Sequence, residues 1–261
     1  MPELPDVERF KHYFDSTALH QQVDSVEVAD TDVLEGVSGR RLAGKIEGRA
    51  FESTWRHGKF LFVDMGKPPQ LVLHFGMTGF LDYARTDPPP EHARVVFRFG
   101  NGYRLAYVCQ RKLGLVGLTD DPGDFLQQRD LGPDALGGEL TKERFCDLLS
   151  GRRGAIKSAL MNQSILAGVG NVYADEILFQ ARIDPGRKVD DLDRKTLGNL
   201  YRTMRRVLRT GVRNNAEIGR LPRSYLLRHR DGRGQCPRCG SQLKQKRVSG
   251  RSTWFCARCQ H

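Results

Sequence analysis

Cys236-Pro237-Arg238-Cys239 and Cys256-Ala257-Arg258-Cys259 are two C-x2-C knuckles with sixteen residues between them. The spacing fits a tetrahedral four-cysteine zinc site, each knuckle giving two thiolates and the intervening segment folding back as a hairpin. Gly240 and Gly250 fall where the turns are needed. A disulfide pair and a redox motif are the competing readings. No signal peptide or long apolar run is visible, so a reducing compartment is expected, which argues against disulfides. A redox C-x-x-C would sit in a βαβ context that this stretch lacks. One structural Zn2+ held by Cys236, Cys239, Cys256 and Cys259 is therefore expected, and Cys109 and Cys146 read as ordinary thiols.

The charge is concentrated around the same stretch. Of the net +11, residues 201–261 carry sixteen Lys/Arg against Glu217 and Asp231, or +14, so the first 200 residues sum to −3. Such crowding points to a polyanion, above all nucleic acid. A solubilising surface would explain a net charge but not its position. A membrane surface fits less well, because no basic stretch carries a broad apolar face with aromatic anchors.

Working back toward the N-terminus, periodicity divides the 261 residues into successive blocks. Asp6 to Leu19 reads as a helix, with Val7, Phe10 and Phe14 on one face behind Pro5. From about Val23 to Val116 the pattern is short strands: Val26 and Val28 alternate with polar residues, and Phe60–Val63 and Leu71–Leu73 are apolar runs. Val95–Phe97 and Arg104–Val108 flank Gly100-Asn101-Gly102, a hairpin signal. Asp87 to Glu91, with three prolines, is a loop. From about Leu131 the chain turns helical, with helices at Ala155–Gln163 and Asn171–Gln180. The connector 164–170 between them contains Gly168 and Gly170, which permit positive φ or close backbone approach. Leu192, Leu200, Met204 and Leu208 mark a longer helix with a basic outer face, and Asn214–Arg233 reads as a loop. The expectation is an α+β, multidomain chain: a β-sandwich or barrel with an N-terminal helix (1–130), a helical domain (131–230) and a zinc-finger β-hairpin (231–261).

The first residues suggest chemistry. Pro2 follows Met1, and removal of that methionine would leave a secondary amine next to the carboxylate of Glu3. An α-amine titrates at about 8, so a fraction of it is free and nucleophilic near neutral pH. On attacking a carbonyl-like carbon it gives an iminium with no N–H to lose, an electron sink made without lysine. Taken alone, Pro2 is an ordinary second residue; its weight comes from the rest of the chain.

With these parts assembled, the sequence resembles the formamidopyrimidine-DNA glycosylase/endonuclease VIII family of DNA repair enzymes over nearly its whole length. The resemblance rests on Pro2-Glu3-Leu4-Pro5, His57-Gly58-Lys59, His74-Phe75-Gly76-Met77-Thr78-Gly79, Arg111-Lys112-Leu113-Gly114, Gly168-Val169-Gly170-Asn171 and the four cysteines, in that order. It implies a β-sandwich, a helix–two-turn–helix domain and a zinc finger. The implied activity is a bifunctional glycosylase/lyase acting on damaged double-stranded DNA as a monomer, with no organic cofactor and no membrane. The implied location is the cytoplasm, on the nucleoid in a bacterium. Pro2 would attack C1′ of an extruded nucleotide, with Glu3 transferring a proton to the sugar as the ring opens. Lys59 would contact phosphate beside the lesion and assist β-elimination, and Arg251 would clamp phosphate during δ-elimination. Asn171, His92, Arg111, Lys157 and Arg152 (or its neighbour Arg153) match DNA-contact positions. Met77, Arg111 and Leu113 would fill the space left by the flipped base.

Without the resemblance these residues have plainer readings: a strand-edge lysine is a solvated charge, a turn-tip arginine is exposed, and an Asn before a helix is a cap. The chain also departs from the family pattern. Leu113 stands where phenylalanine is usual, Cys109-Gln110 where Asp-Pro is usual, and Asp6 where glutamate is usual. Met77 favours oxidised purines (8-oxoguanine and formamidopyrimidines), whereas Leu113 departs from that branch and a short Asn214–Arg233 segment is closer to the oxidised-pyrimidine branch. A non-catalytic damaged-DNA-binding protein would explain the charge and the zinc but not Pro2-Glu3 with Lys59 and Arg251. A zinc ribbon from an RNA-binding assembly would leave Met1–Gly79 unexplained.

Overall fold

The computed structural model describes residues 1–85, 87–230 and 234–261. The chain divides into two compact units, one of Met1–Pro2 with Asp6–Arg129 and one of Glu3–Pro5 with Asp130–His261.

The first unit begins with most of α1 (Leu4–Thr17) and continues through β1 (Val23–Val28), β2 (Leu34–Glu35), α2 (Gly39–Ile46), β3 (Ser53–His57), β4 (Phe60–Asp64), β5 (Gln70–His74), β6 (Phe80–Ala84), β7 (Ala93–Phe99), β8 (Arg104–Val108), β9 (Leu115–Thr119) and α3 (Pro122–Gln128). Two sheets form, ordered β1-β7-β8-β6 and β2-β9-β5-β4-β3, all antiparallel except β2 with β9. Alternation decides what each strand buries: Val95, Phe97 and Phe99 of β7 and Leu105 and Tyr107 of β8 enter a core with Leu61, Val63, Leu71, Leu73 and Val116 of the other sheet. Val96, Ala106 and Val108 point the opposite way into a separate small cluster. The result is a sandwich whose core takes in one face of α1, with Phe10 tilted against Phe75 (4.4 Å) and Phe14 edge-on to Phe51 (5.1 Å).

The Asn-Gly signal holds: Gly102 has φ +80°, Asn101 Oδ1 accepts from Tyr103 N at 3.0 Å, and β7 and β8 flank the turn. The strand region is not all strand, however. Inside it Ser38 caps α2, whose Leu42 and Ile46 lie one helical turn apart and are buried. The first helix starts at Leu4, two residues earlier than Asp6, and ends at Thr17.

The second unit holds α4 (Lys142–Leu149), α5 (Ile156–Met161), α6 (Asn171–Ala181), α7 (Arg194–Arg213), and the hairpin of β10 (Lys244–Val248) and β11 (Arg251–Phe255). α5 is shorter at both ends than the expected 155–163. Helix α6 is central, with every residue from Tyr173 to Phe179 buried; α5, α7 and β11 all pack on it. The zinc hairpin forms no compact unit of its own: Phe179 of α6 shares a small core with Leu226, Leu243, Cys236 and Cys256. Asn214–Arg233 contains two short 3-10 turns, Ile218–Arg220 and Leu226–His229, and its residues 231–233 lie outside the described ones. No described helix is long and apolar enough to cross a membrane.

Candidate active site and zinc centre

Glu3 is 1% exposed, and its carboxylate sits on the N-terminus of α6. It accepts from the main-chain N–H groups of Gly170 (2.9 Å), Val172 (2.7 Å) and Tyr173 (3.0 Å). Those are orphan donors of a helix start, and the helix dipole adds to their stabilisation of negative charge. No residue local to α6 supplies a side-chain cap, so a carboxylate from the other end of the chain takes that place. The two connector glycines serve different needs. Gly168 has φ +110°, and its carbonyl accepts from Leu4 N at 3.0 Å. Gly170 has φ −125°, but a Cβ there would lie 2.4 Å from Glu3 Cδ. This anchoring fixes Glu3, and Pro2 is one peptide bond away.

Asn171 opens α6 with its amide nitrogen on Ser252 O at 3.1 Å, so it braces the hairpin; its Oδ1 is buried without a partner among the described residues. Arg251 begins β11 opposite Val248, next to the Ser249-Gly250 turn, both residues with positive φ, and is exposed as expected of a hairpin tip. A hollow of about 180 Å³ beside it is lined by Ser158, Met161, Asn162, Val248, Ser249 and Arg251. Ser158 and Asn162 also line a second hollow, of about 320 Å³, with Arg152 and Arg153. Both arginines are exposed, and Arg152 Nε donates to Leu148 O at 2.7 Å.

Lys157, matched to a DNA-contact position, is enclosed within the second unit. It is 1% exposed, paired with Asp175 at 2.7 Å, and donates to Thr253 Oγ1 at 2.7 Å and Ser252 O at 3.3 Å. Asp175 also accepts from Trp254 N at 3.0 Å and pairs with Arg230 at 3.2 Å. Burial lowers the Lys157 pKa and raises that of Asp175, and their mutual attraction opposes both shifts. In this structure Lys157 is a strut tying α5 and α6 to β11. The neighbouring Glu176 is fully buried and holds Leu227 N at 2.9 Å and Gln180 Nε2 at 2.7 Å, with its pKa pushed up to about 7 by desolvation. The sequence reading missed both carboxylates. A signal existed: Tyr173-Ala174-Asp175-Glu176-Ile177-Leu178-Phe179 sets two charges in a helix with no polar face.

In the first unit, Gly58 and Lys59 form the two-residue turn between β3 and β4, closed by the His57–Phe60 pair. Lys59 is 8% exposed. Burial, then the Lys59 charge, lowers the His74 pKa to about 4, so this imidazole stays neutral. The three expected void-filling residues come together. Arg111 Nη1 lies 3.2 Å from Met77 Sδ, and Gly76, with φ +56°, leaves no room for a Cβ against the Leu113 backbone (2.4 Å). Met77 and Leu113 are 41% and 52% exposed. His92, in the left-handed region at φ +66°, lies 3.3 Å from the Glu91 carboxylate.

The four knuckle sulfurs lie within 4.8 Å of one another, with Cys236–Cys259 at 3.9 Å and Cys239–Cys256 at 3.6 Å. A zinc tetrahedron with bonds of about 2.3 Å needs sulfur separations of about 3.8 Å, so these residues fit the ion. One structural zinc is held there.

Family models for the formamidopyrimidine-DNA glycosylase N-terminal domain, its H2TH domain, and a zinc finger found in that enzyme and in IleRS match residues 1–116, 131–221 and 235–261. The formamidopyrimidine-DNA glycosylase of Pelotomaculum thermopropionicum is 32% identical over 274 residues, spanning 100% of this chain and 99% of the relative. That of Geobacter metallireducens is 36% identical over 269 residues, covering all of both chains. The crystal structure of Lactococcus lactis formamidopyrimidine-DNA glycosylase non-covalently bound to DNA containing an AP site superposes with TM-score 0.91 at 26% identity, over 99% of each chain. On its sequence, its domains and its fold, the chain belongs to the formamidopyrimidine-DNA glycosylase family of base-excision-repair enzymes.

Proposed function

We propose that this glycosylase removes oxidised purines, 8-oxoguanine and formamidopyrimidines, from duplex DNA and then acts as an AP lyase through Pro2. The anchored Glu3 carboxylate carries the reading, since simple binding needs no buried acid fixed beside the chain's second residue.

The damaged nucleotide is first extruded, at a cost of about a few kcal/mol. An α-amine of pKa about 8 is largely protonated at neutral pH, so something must take its proton. Glu3, held by three N–H donors one residue away, is the carboxylate placed to take that proton before it acts as an acid. The Pro2 nitrogen bonds to C1′ and the bond from C1′ to the base breaks, the base leaving with the electron pair and gaining a proton. The C1′–O4′ bond then opens, O4′ taking a proton from Glu3 and leaving an iminium. Loss of a C2′ proton expels the 3′ phosphate, and loss of a C4′ proton expels the 5′ phosphate. Lys59 and Arg251 grip phosphates in these two eliminations, with Asn171, His92, Arg111 and Arg152 on the backbone. Met77, Arg111 and Leu113 fill the vacated stack. Lys157 positions the hairpin that carries Arg251. The zinc ion holds that hairpin's fold and takes no part in the chemistry. The segments 1–130, 131–230 and 231–261 serve as the catalytic, helical and zinc-finger divisions of this activity, which needs one copy of the chain in the compartment that holds the DNA.

The relatives' name supports the purine reading. One feature favours oxidised pyrimidines instead: residues 214–230 are short and pinned by the buried Leu221, Tyr225, Leu226 and Leu227, leaving little chain to cap a large base. Borohydride reduction during turnover, with mass mapping, should link DNA to Pro2 in protein lacking Met1. Cleavage with no adduct there would overturn the lyase mechanism. Duplexes with 8-oxoguanine, formamidopyrimidine, thymine glycol and dihydrouracil test the lesion class, and equal or faster cutting of the pyrimidines would reverse the preference.

A further inference from the structure

Helix α7 carries seven cations and no carboxylate in its twenty residues. Two of them have evident structural partners. Arg194 pairs with Asp147 at 2.8 Å, and Arg205 donates to the carbonyls of Gly137 (2.9 Å) and Leu136 (3.2 Å) while lying over the Tyr201 ring. The other five, Lys195, Arg202, Arg206, Arg209 and Arg213, are exposed, and among the described residues none makes an ion pair.

Their positions share one face. At 3.6 residues per turn the five fall within about 60° of one another, and the stripe runs about 27 Å along the helix. Leu197, Leu200, Met204, Val207 and Leu208 occupy the opposite arc and are buried. That apolar arc includes the packing on α6, the helix that begins at Asn171 and supports the Arg251 hairpin. Within the second unit, then, the stripe looks away from α6, whose first turn carries Asn171 and seats Glu3.

A solvated helix face normally mixes signs, since i,i+4 pairs of opposite charge stabilise it. Here Arg202/Arg206 and Arg209/Arg213 are like-charge i,i+4 pairs, each of which weakens the isolated helix. A polyanion laid along the stripe removes that penalty. Duplex DNA, one negative charge per about 1.7 Å of axis, offers about eight base pairs of backbone over the same length.

We propose that this face of α7 is a second docking surface for the phosphate backbone of duplex DNA, independent of sequence and of damage. It engages a stretch of duplex other than the one held for excision, so that one protein molecule can contact two DNA segments. The surface needs none of the chemistry assigned to Pro2.

The full-length, zinc-loaded protein tests this with an R206Q/R209Q/R213Q variant, in which glutamine keeps helix propensity and removes only charge. On an undamaged 40-base-pair duplex, the slope of log K against log[NaCl] should fall by roughly 2 to 3. Wild-type protein held on a short lesion duplex should capture a second, labelled undamaged duplex, and the variant should lose at least tenfold in that capture. Single-turnover excision from the short duplex should stay unchanged. No second capture by the wild-type protein, or an unaltered slope in the variant, overturns the proposal. So does displacement of the second duplex by phosphatidylserine vesicles at lower total charge, which would identify a lipid surface. Second capture by a protein that shows no excision would leave this proposal standing and remove the catalytic one.

Discussion

Gly170 is the residue that makes room for Glu3: the acid's carboxyl carbon would lie 2.4 Å from any Cβ at that position. A Gly170→Ala side chain must push the carboxylate off at least one of its three N–H donors, each charge-assisted bond contributing about 1.5–3 kcal/mol. A displacement near 1 Å at a reacting group can cost about a hundredfold in rate. Single-turnover excision and Pro2 adduct formation should therefore both fall about a hundredfold in Gly170→Ala, while lesion-DNA affinity changes little. A wild-type rate in that variant would dissociate Glu3 from the chemistry.

The Lys157–Asp175 pair should behave as a buried strut. Asp175→Ala leaves the enclosed ammonium of Lys157 uncompensated and takes a partner from Arg230, which should cost about 3–5 kcal/mol. Replacing both partners, as Lys157→Met with Asp175→Ala, should recover much of that loss. Urea denaturation of the two single variants and the double variant closes the cycle. Simple additivity would mean that the pair contributes nothing as a pair.

His74 predicts an acid limit for the first unit. Its folded-state pKa of about 4 lies below its ordinary 6.5, so the unfolded chain binds the extra proton first as pH falls. The associated stability is complete above pH 6.5 and is lost as pH drops through 4, amounting to roughly 3 kcal/mol. The His74→Gln variant should show a flatter melting temperature between pH 7 and pH 4 than the parent protein. Parallel profiles would show that the imidazole is not the group responsible.

Metal removal should act through the hairpin. Structural zinc sites contribute on the order of 10 kcal/mol or more of apparent binding energy at pH 7, and β10 and β11 meet the rest of the unit through a small core that includes Cys236 and Cys256. Chelation should expose the 236–259 segment to protease, abolish strand cleavage and weaken DNA binding. Full activity in protein verified as metal-free would contradict this.

Local patterns made much of the fold legible. Asn101-Gly102 marks the β7–β8 turn because its conformation depends on four consecutive residues, and the C-x2-C knuckles fix their partners by spacing. Helix α2 escaped because only Leu42 and Ile46 carry its periodicity, in eight residues surrounded by strands. The site was legible as a set of residues but not as a geometry. Nothing near Glu3 in sequence indicates that its hydrogen-bond donors lie 167 to 170 positions away. Lys157 reads as a surface cation because its partner Asp175 lies on the next helix, one whose faces are all covered.

Glu3 is seated in the second unit, Pro2 directly precedes it, and Met1 is 48% exposed. On the chemistry proposed here, a molecule that keeps Met1 is an inert precursor, and an aminopeptidase is needed besides folding and metal loading to complete the catalyst. Any fusion partner joined ahead of Pro2 would turn the amine into an amide and keep the molecule permanently in that immature form.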